Sequence, residues 1–400
     1  MERDEPKQLS GAYCPYAFTS LYVAIDGSVA PCCEFEGTIG NVRNDSLKSI
    51  WKNEQLTALR EEFKGPQLPS GCRKCIDREK NEGTSMRLDK LRWLDDLKGA
   101  YDVPAGPKLI DFRFSNLCNL RCRTCGPLAS SKWYSDGRAL GYKVGDAAEI
   151  VSFNGSDFRP QLEAVLDGLE EVHFAGGEPL LSEEHYKLLG LLIAKGKTSV
   201  KLGYNTNMTV LGLGRSSVLD LWSQFKRVSV IASVDGVGER GAVIRSGFDW
   251  NLFCGNLKAV RQACPHVIFT FGITVSVLNI LTVTDLLTAL ENECGAGHFS
   301  FSTHSLQHPS FYRTQVLPPG MKILASERIR AFLASRPNRW DDLSSRLQGL
   351  VDYMNAEDRS SELSDLRRTT SRLDTLRNEN TANTFPELAY ILKPPVQRAV

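Results

Sequence analysis

The stretch KLIDFRFSNLCNLRCRTCGP, residues 108–127, decides how the rest of the chain is read. From Ile110 onward, KLIDFRFS (108–115) alternates apolar with polar residues and predicts a strand. Cys118, Cys122 and Cys125 follow at once, spaced C-x3-C-x2-C. They therefore fall in a loop at a strand's C-terminal end, where the ligands of βα folds gather. Three thiolates leave a tetrahedral zinc ion without its fourth ligand. The same three can hold three irons of a [4Fe–4S] cluster and leave the fourth open for a ligand. A structural zinc knuckle is the rival reading of the spacing alone.

Downstream, strand patterns recur at EVHFAGG (171–177), SVKLGYNTN (199–207), RVSVIASVDG (227–236), VIFTFGITVS (267–276) and HFSFSTHS (298–305). Amphipathic stretches at 182–195, 216–225, 249–263 and 283–293 separate them. Strands alternating with helices predict an α/β fold of right-handed parallel βαβ units. Six strands make part of a barrel, and an open doubly wound sheet gives a similar pattern. After about residue 310 the strand signals stop, and 321–336, 340–355 and 360–380 read as helices. Charges of alternating sign over 357–378 predict a solvated face there. The expected organisation is a cysteine-rich head at 1–85, a helical linker at 86–107, the βα body at 108–310 and a helical C-terminal extension at 311–400.

Composition narrows the function classes. The 400 residues are 42% hydrophobic and 24% charged, with a net charge of +1. That excludes wholesale disorder and a fibrous repeat, and no electrostatic field marks a binder of nucleic acid or anionic membrane. The opening MERDEPKQLSGAY has no apolar core of a signal peptide. The uncharged run Val267 to Val283 is interrupted by Gly272, Ser276 and Asn279, and reads as a buried strand plus a loop, not a membrane span. A cytoplasmic, reducing location follows, in which closely spaced cysteines point to metal or catalysis. Cys254, Cys264 and Cys294 sit among apolar residues and read as core.

The triple-cysteine loop resembles the signature of the radical S-adenosylmethionine (SAM) superfamily, whose members carry it at the mouth of a partial (β/α)6 TIM-like barrel. Supporting motifs recur in order. Gly176-Gly177-Glu178-Pro179 ends the second strand and resembles the motif whose backbone meets the amino group of SAM. Asn205-Thr206-Asn207 ends the third. Ser233-Val-Asp235-Gly236 ends the fourth, with Arg245 after it. In related enzymes a serine and an arginine here contact the ribose and carboxylate of SAM. The segment containing Ser276 and Asn279 ends the fifth, where others meet the adenosine. The resemblance covers roughly 108–305. The chemistry agrees, because glycines admit close backbone approach and a guanidinium suits a carboxylate. One departure is Thr124, where many relatives have an aromatic residue beside the adenine.

In the head, Leu21 to Cys33 reads as a hairpin turning at Asp26-Gly27, and a short helix through Leu47, Ile50 and Trp51 follows. Cys72-Arg-Lys-Cys75 closes the segment. The order of Cys14, DG-x-V-x-P-C, IGN, IW and C-x2-C is similar to the SPASM and twitch auxiliary-cluster domains of radical SAM enzymes. That resemblance implies a second [4Fe–4S] cluster held by Cys14, Cys32, Cys72 and Cys75. Cys33 is the ambiguous neighbour. Adjacent strand residues point to opposite faces, so one of the pair faces the cluster, and the P-C slot selects Cys32. Such domains usually follow the barrel, whereas this one precedes it.

The resemblance implies reductive cleavage of SAM to a 5′-deoxyadenosyl radical that abstracts a hydrogen from the substrate. The expected substrate is a ribosomally synthesised peptide, modified by crosslinking, epimerisation or backbone excision. The alternatives are a small molecule such as an aminocyclitol or sugar, and a non-catalytic metal-bearing scaffold. Expected partners are an electron donor such as flavodoxin or ferredoxin and a separate leader-peptide recognition protein, with no nucleic acid and no membrane.

Overall fold

Asp26 and Gly27 build the first turn as their chemistry requires. The Asp26 carboxylate accepts from the Ser28 N–H at 3.0 Å, and Gly27 takes the left-handed backbone (φ +82°) that a side chain resists. This computed structural model describes residues 11–82, 85–92, 100–153, 157–294, 300–336 and 341–393. Strand β1 (Ser20–Val23) pairs antiparallel with β2 (Ser28–Ala30), and β2 with β3 (Gly40–Asn41). The hairpin expected at Asp26-Gly27 is therefore present, as is the short helix Leu47–Trp51.

The chain divides into two compact units. The first comprises Met1–Leu117, Glu149–Asn205 and Gly212–Ser229; the second comprises Cys118–Ala148, Thr206–Leu211 and Val230–Val400. In the first unit, β4 (Leu109–Arg113), β5 (Glu171–Ala175) and β6 (Lys201–Thr206) run parallel, with Ile110 opposite Val172 and Val172 opposite Leu202. The head joins this sheet, because β1 lies parallel to β4 with Leu21 opposite Ile110. One face carries Ile110, Phe112, Val172, Phe174, Leu202 and Tyr204, all essentially without exposure. The other face carries Asp111, Arg113, His173 and Asn205 by strand alternation. Apolar burial on the first face drives this unit's packing. Phe174 stacks on Tyr204 at 5.0 Å, and His185 from helix Glu183–Ala194 closes edge-on against Phe174 at 4.9 Å.

Strand β7 (Val228–Ser233) starts in the first unit and ends in the second. In the second unit β8 (Ile268–Val275) and β9 (Ser300–Ser305) are parallel neighbours, with Phe271 opposite Phe301. Helices Trp250–Ala263 and Val283–Cys294 lie between the strands in sequence. Asp249 caps the first of these, accepting from the N–H groups of Asn251 and Leu252. Six parallel strands in sequence, β4 to β9, alternating with helices, make an α/β fold of the partial (β/α)6 type. All six expected strands are present, five within two residues at each end and the fourth stopping three residues early at Ser233, with the last described from Ser300. The C-terminal region is helical, with Pro319–Ala334, Asp341–Asn355 and Leu363–Arg377. In the 86–107 segment, helix Met86–Arg92 is present, and 93–99 lie outside the described residues. Among the described residues no helix is long and apolar enough to cross a membrane.

Candidate metal and cofactor sites

In the first unit, the head brings four cysteines around one small apolar pocket. Cys14, Cys32, Cys72 and Cys75 line it together with Tyr16, Pro31, Phe35, Met86 and Arg87. Local structure places each one. Cys14 precedes helix Pro15–Thr19, whose first backbone N–H groups, on Tyr16 and Ala17, face its sulfur. Cys72 and Cys75 sit at the start of helix Arg73–Glu82, one turn apart. Cys33 does not line the pocket. Its thiol is 3.9 Å from the Met86 sulfur and lies near Asp111 and Arg113 of β4. Cys32 and Cys33 occupy a bend and turn past β2 and not a strand, and of the two only Cys32 lines the pocket.

Burial pushes the Cys14 thiol up to about 11 and the Cys72 thiol to about 12, and it raises Cys32 and Cys75 as well. Four thiols in an apolar hollow ionise once a cation stands beside them. The donor set fits an iron–sulfur cluster, whose thiolates sit at the corners of a cube.

In the second unit, Cys118, Cys122 and Cys125 share one loop. The Leu120 N–H faces the Cys118 sulfur at 3.4 Å, and the Cys125 N–H donates to the Cys122 carbonyl at 3.0 Å. A two-residue antiparallel ladder pairs Cys122 with Arg245 and Arg121 with Ser246. That pairing sets the Arg245 guanidinium 3.9 Å from the Cys122 sulfur and 2.8 Å from the Asp235 carboxylate. Cys122 and Cys125 share a hydrogen bond. This contact foremost, helped by Arg245, lowers Cys122 to about 7 and pushes Cys125 up. Three gathered thiols with a cation beside one of them suit a three-cysteine cluster.

Asp235 accepts from the Thr274 N–H at 2.7 Å. Asn279 accepts from the Ser276 N–H at 2.8 Å, and its amide donates to the Asp235 and Thr274 carbonyls, each at 3.0 Å. Asp235, Arg245, Ser276 and Asn279 thus come together at the C-terminal ends of β7 and β8. Ser233 is the last residue of β7. The side chains of Asp235 and Asn279 are spent on bracing the loops, which leaves ligand contact to their neighbours.

The glycine motif lies in the first unit. Gly177 donates to the Ser115 carbonyl at 3.0 Å and Glu178 to the Leu117 carbonyl at 2.7 Å. A Cβ on Gly177 would stand 2.1 Å from the Leu117 oxygen, so only glycine permits this approach. Gly176 sits at φ +117° for the same turn. The Glu178 carboxylate caps the short helix Pro179–Leu181. Asn205 is exposed on β6. Cys254 and Cys264 are buried core residues, while the Cys294 side chain and His298 lie outside the described residues.

Sequence reading missed one feature of the second unit. The segment 357–378 is not simply a solvated face: Asp374, with Glu379 just past it, meets buried Arg123 of the cysteine loop, and Arg377 meets buried Asp136 of helix Tyr134–Leu140. Alternating charge carries no mark of a partner some 250 residues away.

Residues 14–76 match a family model described as SPASM, an iron-sulfur cluster-binding domain. No curated protein matches the chain. Among solved structures, the chain is similar to anSMEcpe with bound AdoMet and a Cp18Cys peptide (17% identity, 57% of this chain and 61% of that one, TM-score 0.38). It is also similar to Streptococcus suis SuiB bound to precursor peptide SuiA (14% identity, 80% and 66%, TM-score 0.34). A third likeness is to TYW1 with a lysine-pyruvate adduct bound (12% identity, 53% and 68%, TM-score 0.29). The chain spans about three fifths of the anSMEcpe chains it matches.

Proposed function

We propose that this chain, whose residues 14–76 match the SPASM iron–sulfur domain, is a radical SAM enzyme that modifies a ribosomally synthesised peptide in the cytoplasm. The observation that carries the reading is the second unit's loop, where three cysteines meet Arg245 and the strand-end residues Asp235, Ser276 and Asn279. Cys118, Cys122 and Cys125 hold one [4Fe–4S] cluster and leave a position open. Cys14, Cys32, Cys72 and Cys75 hold the second, fully ligated by protein, which suits electron transfer and not substrate ligation. When bound, the first cluster and SAM supply a 5′-deoxyadenosyl radical that abstracts a hydrogen atom from the substrate.

The chain's own residues bind, orient and shield. Arg245, steadied by Asp235, keeps a cation beside the cysteine loop and is placed to meet a carboxylate. The Gly176-Gly177-Glu178 turn keeps a backbone edge free of side chains. Ser233 and Ser276 offer hydroxyls at strand ends, and Asn205 an exposed amide. Support for a peptide comes from the head's family match, since relatives with such domains often modify peptides. The polar face bearing Asp111, Arg113 and His173 supplies donors and acceptors to match a peptide backbone.

Anaerobic reconstitution tests the reading. About eight irons per chain and release of 5′-deoxyadenosine from SAM under reduction are expected. Colourless protein with tightly held zinc overturns it. Product formation on an aminocyclitol or sugar, with none on short peptides, retains the enzyme and overturns the substrate class.

A further inference from the structure

Arg123 lies between the second and third cysteines of the loop, and its side chain has no exposure. A buried guanidinium costs several kcal/mol unless its donors are met by charge. Two carboxylates meet it, Asp374 and Glu379, both contributed from the C-terminal segment. Its Nε also donates to the Val243 carbonyl at 3.1 Å, and its backbone N–H to the Ile244 carbonyl at 2.7 Å. Helix Leu363–Arg377 ends at Asn378 in the left-handed conformation (φ 53°). That turn brings Glu379 back, its N–H donating to the Asp374 carbonyl at 3.0 Å. Thr381 then fixes the Asp374 carboxylate through its hydroxyl at 2.6 Å and its N–H at 3.0 Å.

A second set of contacts ties the same pieces. Glu379 accepts from the Ser246 hydroxyl at 2.6 Å, and Ser246 is the ladder partner of Arg121. Arg377, also without exposure, bonds the Asp136 carboxylate at 2.9 Å, and Arg121 reaches the other oxygen of Asp136 at 3.3 Å. The Arg377 guanidinium lies 4.9 Å over the Trp133 ring, whose N–H donates to the Cys122 carbonyl at 2.8 Å. Residues on both sides of Cys122 are therefore anchored to positions 374–381, some 250 residues away in sequence.

We propose that the segment Asp374–Thr381 is a clamp that sets the geometry of the three-cysteine loop, with Asp374 and Glu379 acting through Arg123 as positioning residues. The clamp's carboxylates reach the loop through Arg123 and Ser246 and not through the three cysteines themselves. The clamp holds the backbone from Arg121 to Thr124, and so fixes where Cys122 and Cys125 point. The inference rests on the reading that Cys118, Cys122 and Cys125 hold the SAM-binding cluster, and it adds that the C-terminal helices are part of that site's construction.

The test uses the anaerobically reconstituted full chain. Glu379→Gln and the double variant Asp374→Asn/Glu379→Gln are compared with Arg367→Ala. Arg367 bonds the Ile391 carbonyl from the same helix but touches nothing in the loop. Two readouts are followed: iron release to a chelator, and the change in the reduced cluster's electron paramagnetic resonance signal when SAM is added. Losing a charge-assisted hydrogen bond predicts roughly tenfold faster release of about half the iron in Glu379→Gln. It also predicts a weakened SAM-dependent signal, while Arg367→Ala behaves as wild type. Adding Arg123→Met to the double variant removes the stranded charge but leaves the loop unclamped, so release stays fast; a return to slow release would mean that the stranded charge alone was responsible, and overturns the clamp. Wild-type release and signal in Glu379→Gln overturn the clamp, as does equal acceleration in Arg367→Ala. Should the double variant fail to fold, Glu379→Gln and Ser246→Ala decide by the same criteria. If the wild type binds no SAM-responsive cluster, or the triple cysteine-to-alanine variant keeps one, the reading beneath fails and not the clamp alone.

Discussion

His185 makes the first unit sensitive to mild acid, and the effect can be sized. It sits on helix Glu183–Ala194 with no exposure, its Nε2 2.9 Å from the Tyr204 hydroxyl. Burial drives its pKa from 6.5 down to about 3. In the unfolded chain the imidazole titrates near 6.5. The folded-state value is depressed, so the stability it permits is complete above about pH 6.5. That stability is lost progressively as pH falls toward 3, because only the unfolded chain takes up the proton. Each unit of that gap is worth about 1.4 kcal/mol, so the loss is about 1.4 kcal/mol at pH 5.5 and roughly 2.7 kcal/mol at pH 4.5. His185→Gln keeps a polar partner for Tyr204 and removes the titration. Its stability at pH 7.5 differs from wild type by about 1 kcal/mol in either direction. What counts is the pH dependence. Amide exchange in helix Glu183–Ala194 and urea midpoints at pH 7.5, 5.5 and 4.5 measure it. All other titrating groups are common to both proteins, so their contributions cancel in the comparison. Equal acid losses in wild type and His185→Gln would mean that the buried imidazole does not set this acid sensitivity.

Three further outcomes follow from the sites. Cys32→Ser should lower bound iron from about eight to about four per chain, while Cys33→Ser retains it, as iron analysis of reconstituted protein will show. Gly177→Ala drives a methyl into the Leu117 carbonyl, and SAM binding measured by calorimetry should weaken by tenfold or more. Replacing Cys118, Cys122 and Cys125 together with Ala should abolish 5′-deoxyadenosine release, scored by chromatography, while the head keeps its own iron.

How much was legible in the sequence depends on how local each signal is. Strand and helix order could be read because alternation and amphipathic spacing are written over 5–15 neighbouring residues. The grouping of Cys118, Cys122 and Cys125 and of Cys72 with Cys75 could be read because each spacing lies within one loop or one turn. So could the hairpin at Asp26-Gly27, where one glycine supplies the backbone conformation. Cys32 is preferred to Cys33 by its P-C slot. The strand alternation expected there is absent, since the pair lies in a bend and turn, yet Cys32 lines the pocket with Cys14, Cys72 and Cys75 while Cys33 sits against Met86. The surroundings of Cys33, near Asp111 and Arg113, come from β1 lying parallel to β4.

The chain's order alone determined an α/β alternation of strands and helices, a three-cysteine loop after the strand at 109–113 and polar motifs at successive strand ends. Only the folded structure decided that the head's β1 extends the sheet of β4, β5 and β6. It alone decided that Asp235 and Asn279 brace loops, and that Asp374 and Glu379 neutralise Arg123. Each of these is a pairing between residues distant in sequence. A buried guanidinium is satisfied by whichever carboxylates the packing brings within reach, and a charge pattern along one helix does not record where its partners lie.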